Sequence, residues 1–172
     1  AMIKTTSKIN YIDGKRLHRA ILAGIESVIS NQAYLNKINV FPVPDGDTGT
    51  NMAFTLSAIL DTSINEPNVT VEYVLSKIAD AALDGARGNS GAILAQFFQG
   101  MSEGAVGIEK FDSFSFAKSV TKGSVYARDA LSDPKEGTIL TVINDFSKKL
   151  EELATEGITN IETVFELSLI TA

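Results

Sequence analysis

Apolar residues recur every three or four positions along most of the chain, and this helical period constrains the fold more than any other feature. Within residues 13–30, for example, Leu17, Ile21 and Ile25 fall on one stripe. We find no convincing run of alternating apolar and polar residues of the kind that marks a half-buried strand. The pattern predicts about eight helices, near 13–30, 32–38, 49–61, 70–84, 90–102, 112–131, 137–154 and 160–171. The fold class is therefore predicted to be all-α, with neighbouring helices mostly antiparallel because the linkers are short.

Three local features complete this structural reading. The glycine-rich segment 100–107 predicts a mobile loop between two helices. The single histidine, His18, is expected to be an ordinary packing or surface residue. Five phenylalanines are expected in the core rather than in a lipid-binding site: Phe97, Phe98, Phe111, Phe114 and Phe116.

The residue types present exclude several classes of chemistry. The 172 residues include no cysteine, which excludes disulfides, thiol nucleophiles and iron–sulfur clusters. One histidine is too few for a histidine-based zinc site and disfavours a Ser-His-Asp triad. A formal net charge of −6 disfavours a nucleic-acid surface, which needs clustered Lys and Arg. No apolar run has the length of a membrane span or a signal-peptide core, so we expect a cytoplasmic protein.

The first segment that predicts chemistry is rich in short polar side chains at the start of a helix. Asp45 and Asp47 are separated by one glycine, so both carboxylates can face one hard cation such as Mg²⁺ or Ca²⁺. Thr48, Thr50 and Asn51 follow where the helix begins, and free amides there would favour a phosphate. The residues after the two aspartates do not fit an EF-hand loop. The alternative is a simple turn in which Asp47 caps the helix.

The second segment lies between two predicted helices and is rich in glycine. Gly88, Asn89, Ser90 and Gly91 would let backbone amides approach a phosphate, and Ser90 adds a hydroxyl. Arg87 could stabilise charge on a phosphoryl group in transfer. The pattern fits neither a P-loop nor a nucleophile elbow. The alternative is a helix C-cap followed directly by a helix N-cap.

A third segment, residues 133–138, again places polar residues before a helix. Thr138 could face a nucleotide, whereas capping of the helix is the alternative. Lys135 and Glu136 are expected to be solvated. Two helix starts suited to anions, together with a pair of carboxylates, favour a site for a magnesium–nucleotide complex.

Two motifs, NVFPVPDGDTGTNM (39–52) and GARGNSGAILAQFFQG (85–100), together resemble the N-terminal kinase domain of the catalytic subunit of bacterial fatty acid kinases. More distantly, the chain is similar to the nucleotide-binding L-subunit of dihydroxyacetone kinases. The resemblance covers residues 10–172 and implies a single ATP-binding domain folded as an eight-helix antiparallel barrel, within a longer multidomain chain.

The resemblance also implies roles for individual residues. Asp45 and Asp47 match the metal-binding aspartates of the family, and Asn39 lies near the position of a further metal ligand. The positions that match the family's nucleotide-binding residues are Thr48, Asn51, Gly88, Asn89, Ser90, Gly91 and Thr138. The implied cofactors are ATP or ADP and one or two Mg²⁺ ions.

The implied reaction is transfer of the γ-phosphoryl group of ATP to a fatty acid carboxylate. A separate fatty-acid-binding protein would present the acyl chain, and the remaining domains of the polypeptide would be further partners; a homodimer is possible. A carboxylate with an ordinary pKa near ~4 is already ionised at pH 7 and needs no general base. The alternatives are a dihydroxyacetone kinase-type subunit, a non-catalytic magnesium–nucleotide module, and an all-α interaction domain with no site.

Overall fold

The computed structural model describes residues 8–41 and 43–172, and these residues form eight α-helices. Their bounds are α1 (Gly14–Ser30), α2 (Gln32–Lys37), α3 (Thr48–Leu60), α4 (Val71–Asp84), α5 (Gly88–Gly104), α6 (Ser113–Asp129), α7 (Ile139–Thr155) and α8 (Ile161–Thr171). The described residues contain no strand; a single β-bridge joins Ile12 to Phe111. The predicted all-α class with eight helices is confirmed.

Side chains placed just before the helices explain why several of them begin where they do. The carboxylate of Asp13 accepts a hydrogen bond from the Arg16 amide at 2.8 Å, and Thr70 caps α4 in the same way. Asp112 and Ser115 form a reciprocal capping box at the start of α6. The Ser115 amide holds the pKa of Asp112 below its usual value, because it donates to the ionised carboxylate.

Helix α5 packs against α3, α4 and α6. The inner face of α4 is completely buried through Val74, Leu75 and Ile78. Because α5 and α3 pack side by side, the starts of these two helices are neighbours. The fold thus brings together the two segments singled out from the sequence.

The prediction of a loop over 100–107 is wrong for residues 100–104, which form the last turn of α5. Their glycines lie at the crossing with α6. A Cβ atom on Gly100 would lie 2.6 Å from the Lys122 carbonyl oxygen, and one on Gly104 would lie 2.8 Å from the Ser119 Cα. These glycines therefore serve close helix contact, and only 105–107 form the turn.

The expectation for the phenylalanines holds for most of them and is wrong for Phe114. Phe98, Phe111 and Phe116 are buried and Phe97 is half-buried, but Phe114 is 65% exposed in the first turn of α6. His18 is half-buried, with Nε2 3.5 Å from the Thr62 hydroxyl. None of the helices described is both long and apolar enough to cross a bilayer.

Replacing Gly100 by alanine tests the α5–α6 crossing. The added methyl meets main chain that cannot move aside, so we expect G100A to lower the free energy of unfolding by about 1–3 kcal/mol. G24A is the matched control, because nothing lies within 4 Å of its Cβ position on α1. That variant should gain up to about 1 kcal/mol from helix propensity. Urea denaturation measures both changes, and equal effects would contradict the close contact.

Candidate functional site

Three separate parts of the chain meet around one cleft with a volume of about 260 Å³. They are the start of α3 with the residues before it, the start of α5, and the segment 131–139 that joins α6 to α7. The lining residues are Phe41, Thr48, Asn89, Ser90, Ile93, Leu131, Ser132, Asp133, Lys135, Thr138 and Ile139. Four residues predicted from the sequence, Thr48, Asn89, Ser90 and Thr138, therefore line the same cleft.

The loop 39–47 presents two carboxylates beside this cleft. Asp45 and Asp47 are exposed and do not line the cleft, but Asp47 directly precedes Thr48, which does. Gly46 between them has a φ of 69°. Neither carboxylate is ion-paired with another described residue. Both groups are thus available to a ligand from solvent.

Asp47 is the N-cap residue of α3, and its carbonyl accepts the Asn51 amide at 2.8 Å, but its side chain makes no capping hydrogen bond. The alternative in which Asp47 is the N-cap therefore holds for its position and not for its carboxylate. The side-chain cap comes from Asn39, whose Oδ1 accepts the Thr48 amide at 3.2 Å and the Thr48 hydroxyl at 2.9 Å. Asn36 in α2 accepts the Thr50 amide at 2.9 Å. The expectation that free amides of α3 bind phosphate is therefore wrong for Thr48 and Thr50.

Asn39 also closes its own loop, because its Nδ2 donates to the Val43 carbonyl at 3.1 Å. Both lone pairs of its Oδ1 are already used by Thr48. Direct metal ligation by Asn39 would require these bonds to be exchanged, and it stays a prediction. Pro42, part of the same motif, lies outside the described residues.

The start of α5 differs from that of α3, since no side chain of the described residues caps it. The amides of residues 88–90 have no intrahelical acceptor because they open the helix, and Asn89 and Ser90 lie in the cleft wall. The Ser90 hydroxyl donates to the Thr48 carbonyl at 3.3 Å, which joins the two helix starts. This terminus has the partial positive charge that an anion prefers.

Glycine at position 88 is required for this arrangement. Its φ is 65°, and a Cβ there would lie 2.5 Å from the Asn51 Nδ2. A Cβ atom on Gly91, in the same turn, would lie 2.3 Å from the Thr55 hydroxyl oxygen. The small residues of the motif thus let α5 begin directly against α3. Asn51 is buried beneath Gly88 and does not line the cleft.

Arg87 lies outside the cleft. Its amide donates to the Thr55 hydroxyl at 3.1 Å, and its guanidinium carbon lies 5.1 Å from the centre of the Phe54 ring. This is the geometry of a cation–π contact at an exposed site. In this conformation the arginine therefore contacts the outer face of α3.

Comparison with known proteins identifies the family. The DAK2 domain model matches residues 42–172, which is most of the chain. The chain belongs to the DAK2 domain family. This domain is named for dihydroxyacetone kinases, and the membership agrees with a kinase-type subunit.

Similar full-length proteins are bacterial. The chain is 38% identical to protein YloV of Bacillus subtilis over 146 residues, which are 85% of this chain and 26% of that protein. It is 37% identical over 137 residues to an uncharacterised protein of Staphylococcus saprophyticus, covering 80% and 25%. A similar protein of Staphylococcus epidermidis is 37% identical over 140 residues, covering 81% and 25%. The chain thus spans about a quarter of the length of these relatives.

The DAK2 domain structure adds cleft residues that the motifs did not indicate. A hydrophobic wall is formed by Phe41, Ile93, Leu131 and Ile139. Lys135 contributes a cation. Phe41 lies inside the first motif, but the residues next to it in the sequence do not indicate whether it lines a cleft or is exposed in a loop. Ile93 and Ile139 follow the helical period, which fits core positions equally well.

The close contact between α3 and α5 generates a test of the site's architecture. We expect G88A to lower the free energy of unfolding by about 2–4 kcal/mol, because it combines positive φ with a clash against the buried Asn51. G107A is the matched control: its φ is 76°, but nothing lies within 4 Å of its Cβ position. Thermal unfolding should show a loss of only about 1 kcal/mol there. A similar loss in both variants would contradict the contact with Asn51.

Proposed function

We propose that this DAK2 domain binds ATP with Mg²⁺ and transfers the γ-phosphoryl group to a fatty acid carboxylate. A separate fatty-acid-binding protein presents the acyl chain, and the product is an acyl phosphate. The observation that carries the proposal is that the start of α5, which no described side chain caps, lies in the cleft wall beside Thr48. The residues just before Thr48 carry the exposed carboxylates of Asp45 and Asp47, neither of which is ion-paired with a described residue. The first feature suits phosphate and the second suits a hard cation.

The donor set supports Mg²⁺. In the described structure no three Asp, Glu, His or Cys side chains cluster around one point, so an ion here would take its other ligands from phosphate and water. Mg²⁺ in nucleotide sites is commonly held by one or two carboxylates in this way. Asp45 and Asp47 would hold the ion or ions, which when bound neutralise charge on the phosphate oxygens.

The remaining cleft residues suit a nucleotide. The amides of residues 88–90 can donate to phosphate oxygens. Ser90 and Thr138 line the same cleft, and their hydroxyls donate to the Thr48 and Lys135 carbonyls. The apolar wall formed by Phe41, Ile93 and Ile139 offers a surface for a planar base. Gly88, Gly91 and Asn51 act indirectly in this proposal, because they set the position of α5 against α3.

Phosphoryl transfer to a carboxylate needs positioning and charge neutralisation more than acid–base chemistry. A carboxylate oxygen forms a bond to the γ-phosphorus, the bond from that phosphorus to the bridging oxygen breaks, and ADP leaves with the electron pair. No proton has to be removed, since the acceptor is already ionised at pH 7. This agrees with a cleft whose described lining contains no histidine.

The size of the cleft supports presentation of the acceptor by a partner. Its volume of about 260 Å³ is below the range of roughly 300–1,000 Å³ found for pockets that enclose drug-sized ligands. We propose that the nucleotide occupies this cleft and that the acyl chain lies outside it. We therefore propose that the carrier docks over the mouth of the cleft, and that other domains of a longer cytoplasmic polypeptide or a homodimer contribute to the assembly.

The family membership itself favours a second candidate, a dihydroxyacetone kinase-type subunit. In that case the acceptor is a hydroxyl group of dihydroxyacetone bound to another subunit. Removal of its proton requires a base from that subunit. A non-catalytic magnesium–nucleotide module is the third candidate, and it would bind nucleotide without turnover.

Nucleotide binding is tested by thermal unfolding with ATP or ADP, with and without Mg²⁺. Ligand at a hundred times its Kd stabilises a fold by about 2.7 kcal/mol, which for this length is about 5–10 °C. We expect a shift that depends on Mg²⁺ and disappears in D45N/D47N, whose side chains keep their size but lose their charge. D80N on the exposed face of α4 is the matched control and should keep the shift. A shift in melting temperature that is the same with and without Mg²⁺, and the same in D45N/D47N, would contradict the metal site.

Phosphoryl transfer is tested with the full-length protein, ATP, Mg²⁺ and a fatty-acid-binding protein loaded with acyl chain. We expect ADP release and an acyl phosphate that hydroxylamine traps as the hydroxamate. Dihydroxyacetone supplied in place of the loaded carrier should give no turnover. Turnover with dihydroxyacetone and its subunit alone would support the second candidate, and nucleotide binding without any turnover would support the third.

A further inference from the structure

Lys135 is the basic side chain among the described residues that line the cleft. The expectation that Lys135 is solvated is confirmed, because the residue is exposed. Arg87, the cation that the motifs indicate, lies over Phe54 and outside the cleft. The Lys135 Nζ is 2.7 Å from Asp133 Oδ2, and the two side chains are 51% and 75% exposed. The Lys135 ammonium group thus forms an ion pair with Asp133 of the same segment, at the edge of the cleft.

The main chain around Lys135 is held in place. The Thr138 hydroxyl donates to the Lys135 carbonyl at 2.8 Å. The next residue, Glu136, accepts the Thr141 hydroxyl at 2.7 Å and lies 3.5 Å from the Arg128 guanidinium. These contacts tie the segment to α6 and α7, so the Lys135 side chain can change partner without movement of its backbone.

The energetics favour such an exchange. An exposed ion pair such as Lys135–Asp133 changes an equilibrium by a factor of about five at most. A hydrogen bond from an ammonium group to a phosphate oxygen typically changes it by about 10–100-fold. A polyphosphate also carries several charges, and the start of α5 in the same cleft supplies only partial positive charge. The stronger partner for Lys135 is therefore the anion.

We propose that Lys135 leaves Asp133 and binds the polyphosphate of the nucleotide. Asp133 is the resting partner of the lysine, and it lowers the affinity of the empty cleft for anions. This inference rests on the proposed binding of nucleotide and adds a phosphate-binding residue on the α6–α7 side of the cleft. The motifs around Asp45 and Ser90 would then contact the nucleotide from the α3–α5 side.

Isothermal titration with Mg-ATP at two salt concentrations tests the role of Lys135. We expect K135M to weaken binding about tenfold, a value at the low end because the site is half-exposed, and K135R to keep most of the affinity. The affinity of K135M should also depend less on salt concentration, because the variant lacks the contact between the lysine and phosphate that salt screens. K148M on the exposed face of α7 is the matched control and should bind like the wild type.

The partner exchange is tested by D133N, alone and combined with K135M. If Lys135 must leave Asp133, D133N raises the affinity about two- to fivefold when Lys135 is present and clearly less when it is methionine. An equal gain in both backgrounds overturns the exchange, because Asp133 then acts by direct repulsion alone. An unchanged affinity in K135M overturns the role of the lysine.

The two proposals fail in different ways. Binding of Mg-ATP by the wild type that K135M leaves unchanged overturns this inference and leaves the proposed function intact. No binding of Mg-ATP by the folded wild type overturns both. Circular dichroism and thermal unfolding of each variant verify that the comparison is between folded proteins.

Discussion

The close approach of α5 to α3 is the contact on which the rest of the site depends. Gly88 lies against the buried side chain of Asn51, and Gly91 lies against Thr55. A larger residue at either position would push the first turn of α5 away from α3. Because the two helices begin side by side, the uncapped amides of α5 lie beside the loop that carries Asp45 and Asp47. The juxtaposition of an uncapped helix N-terminus and two exposed carboxylates follows from this packing.

The starts of α3 and α5 are neighbours but differ in how their first amides are capped. The start of α3 is closed by amide side chains, with Asn39 on Thr48 and Asn36 on Thr50. These contacts hold Asn39 and Asn36 against the start of α3, and neither Asp45 nor Asp47 is ion-paired with a described residue. The start of α5 has no such cap and keeps its positive end open to the cleft. One terminus is therefore capped by amide side chains from preceding residues, and the other has no side-chain cap among the described residues.

The helices could be predicted from local pattern because their signals are local. The apolar period and the capping residues Asp13, Thr70 and Asp112 act within a few positions of one another. The prediction from local pattern is wrong at 100–104, because Gly100 and Gly104 indicate a loop but serve the close crossing with α6. It also failed at Phe114, since a helical position alone does not reveal which face is covered.

The sequence by itself determined the all-α class, the helix positions and the residue types of the candidate site, because these depend on neighbours in the chain. The sequence also predicted that Thr48, Ser90 and Thr138 belong to one site, and all three line the same cleft. Only the tertiary structure decided that Asn36 and Asn39 close the start of α3, that Arg87 lies outside the cleft, and that Lys135 lies within it. Those outcomes depend on residues far apart in the chain, whose distances are set by helix packing and leave no local signal.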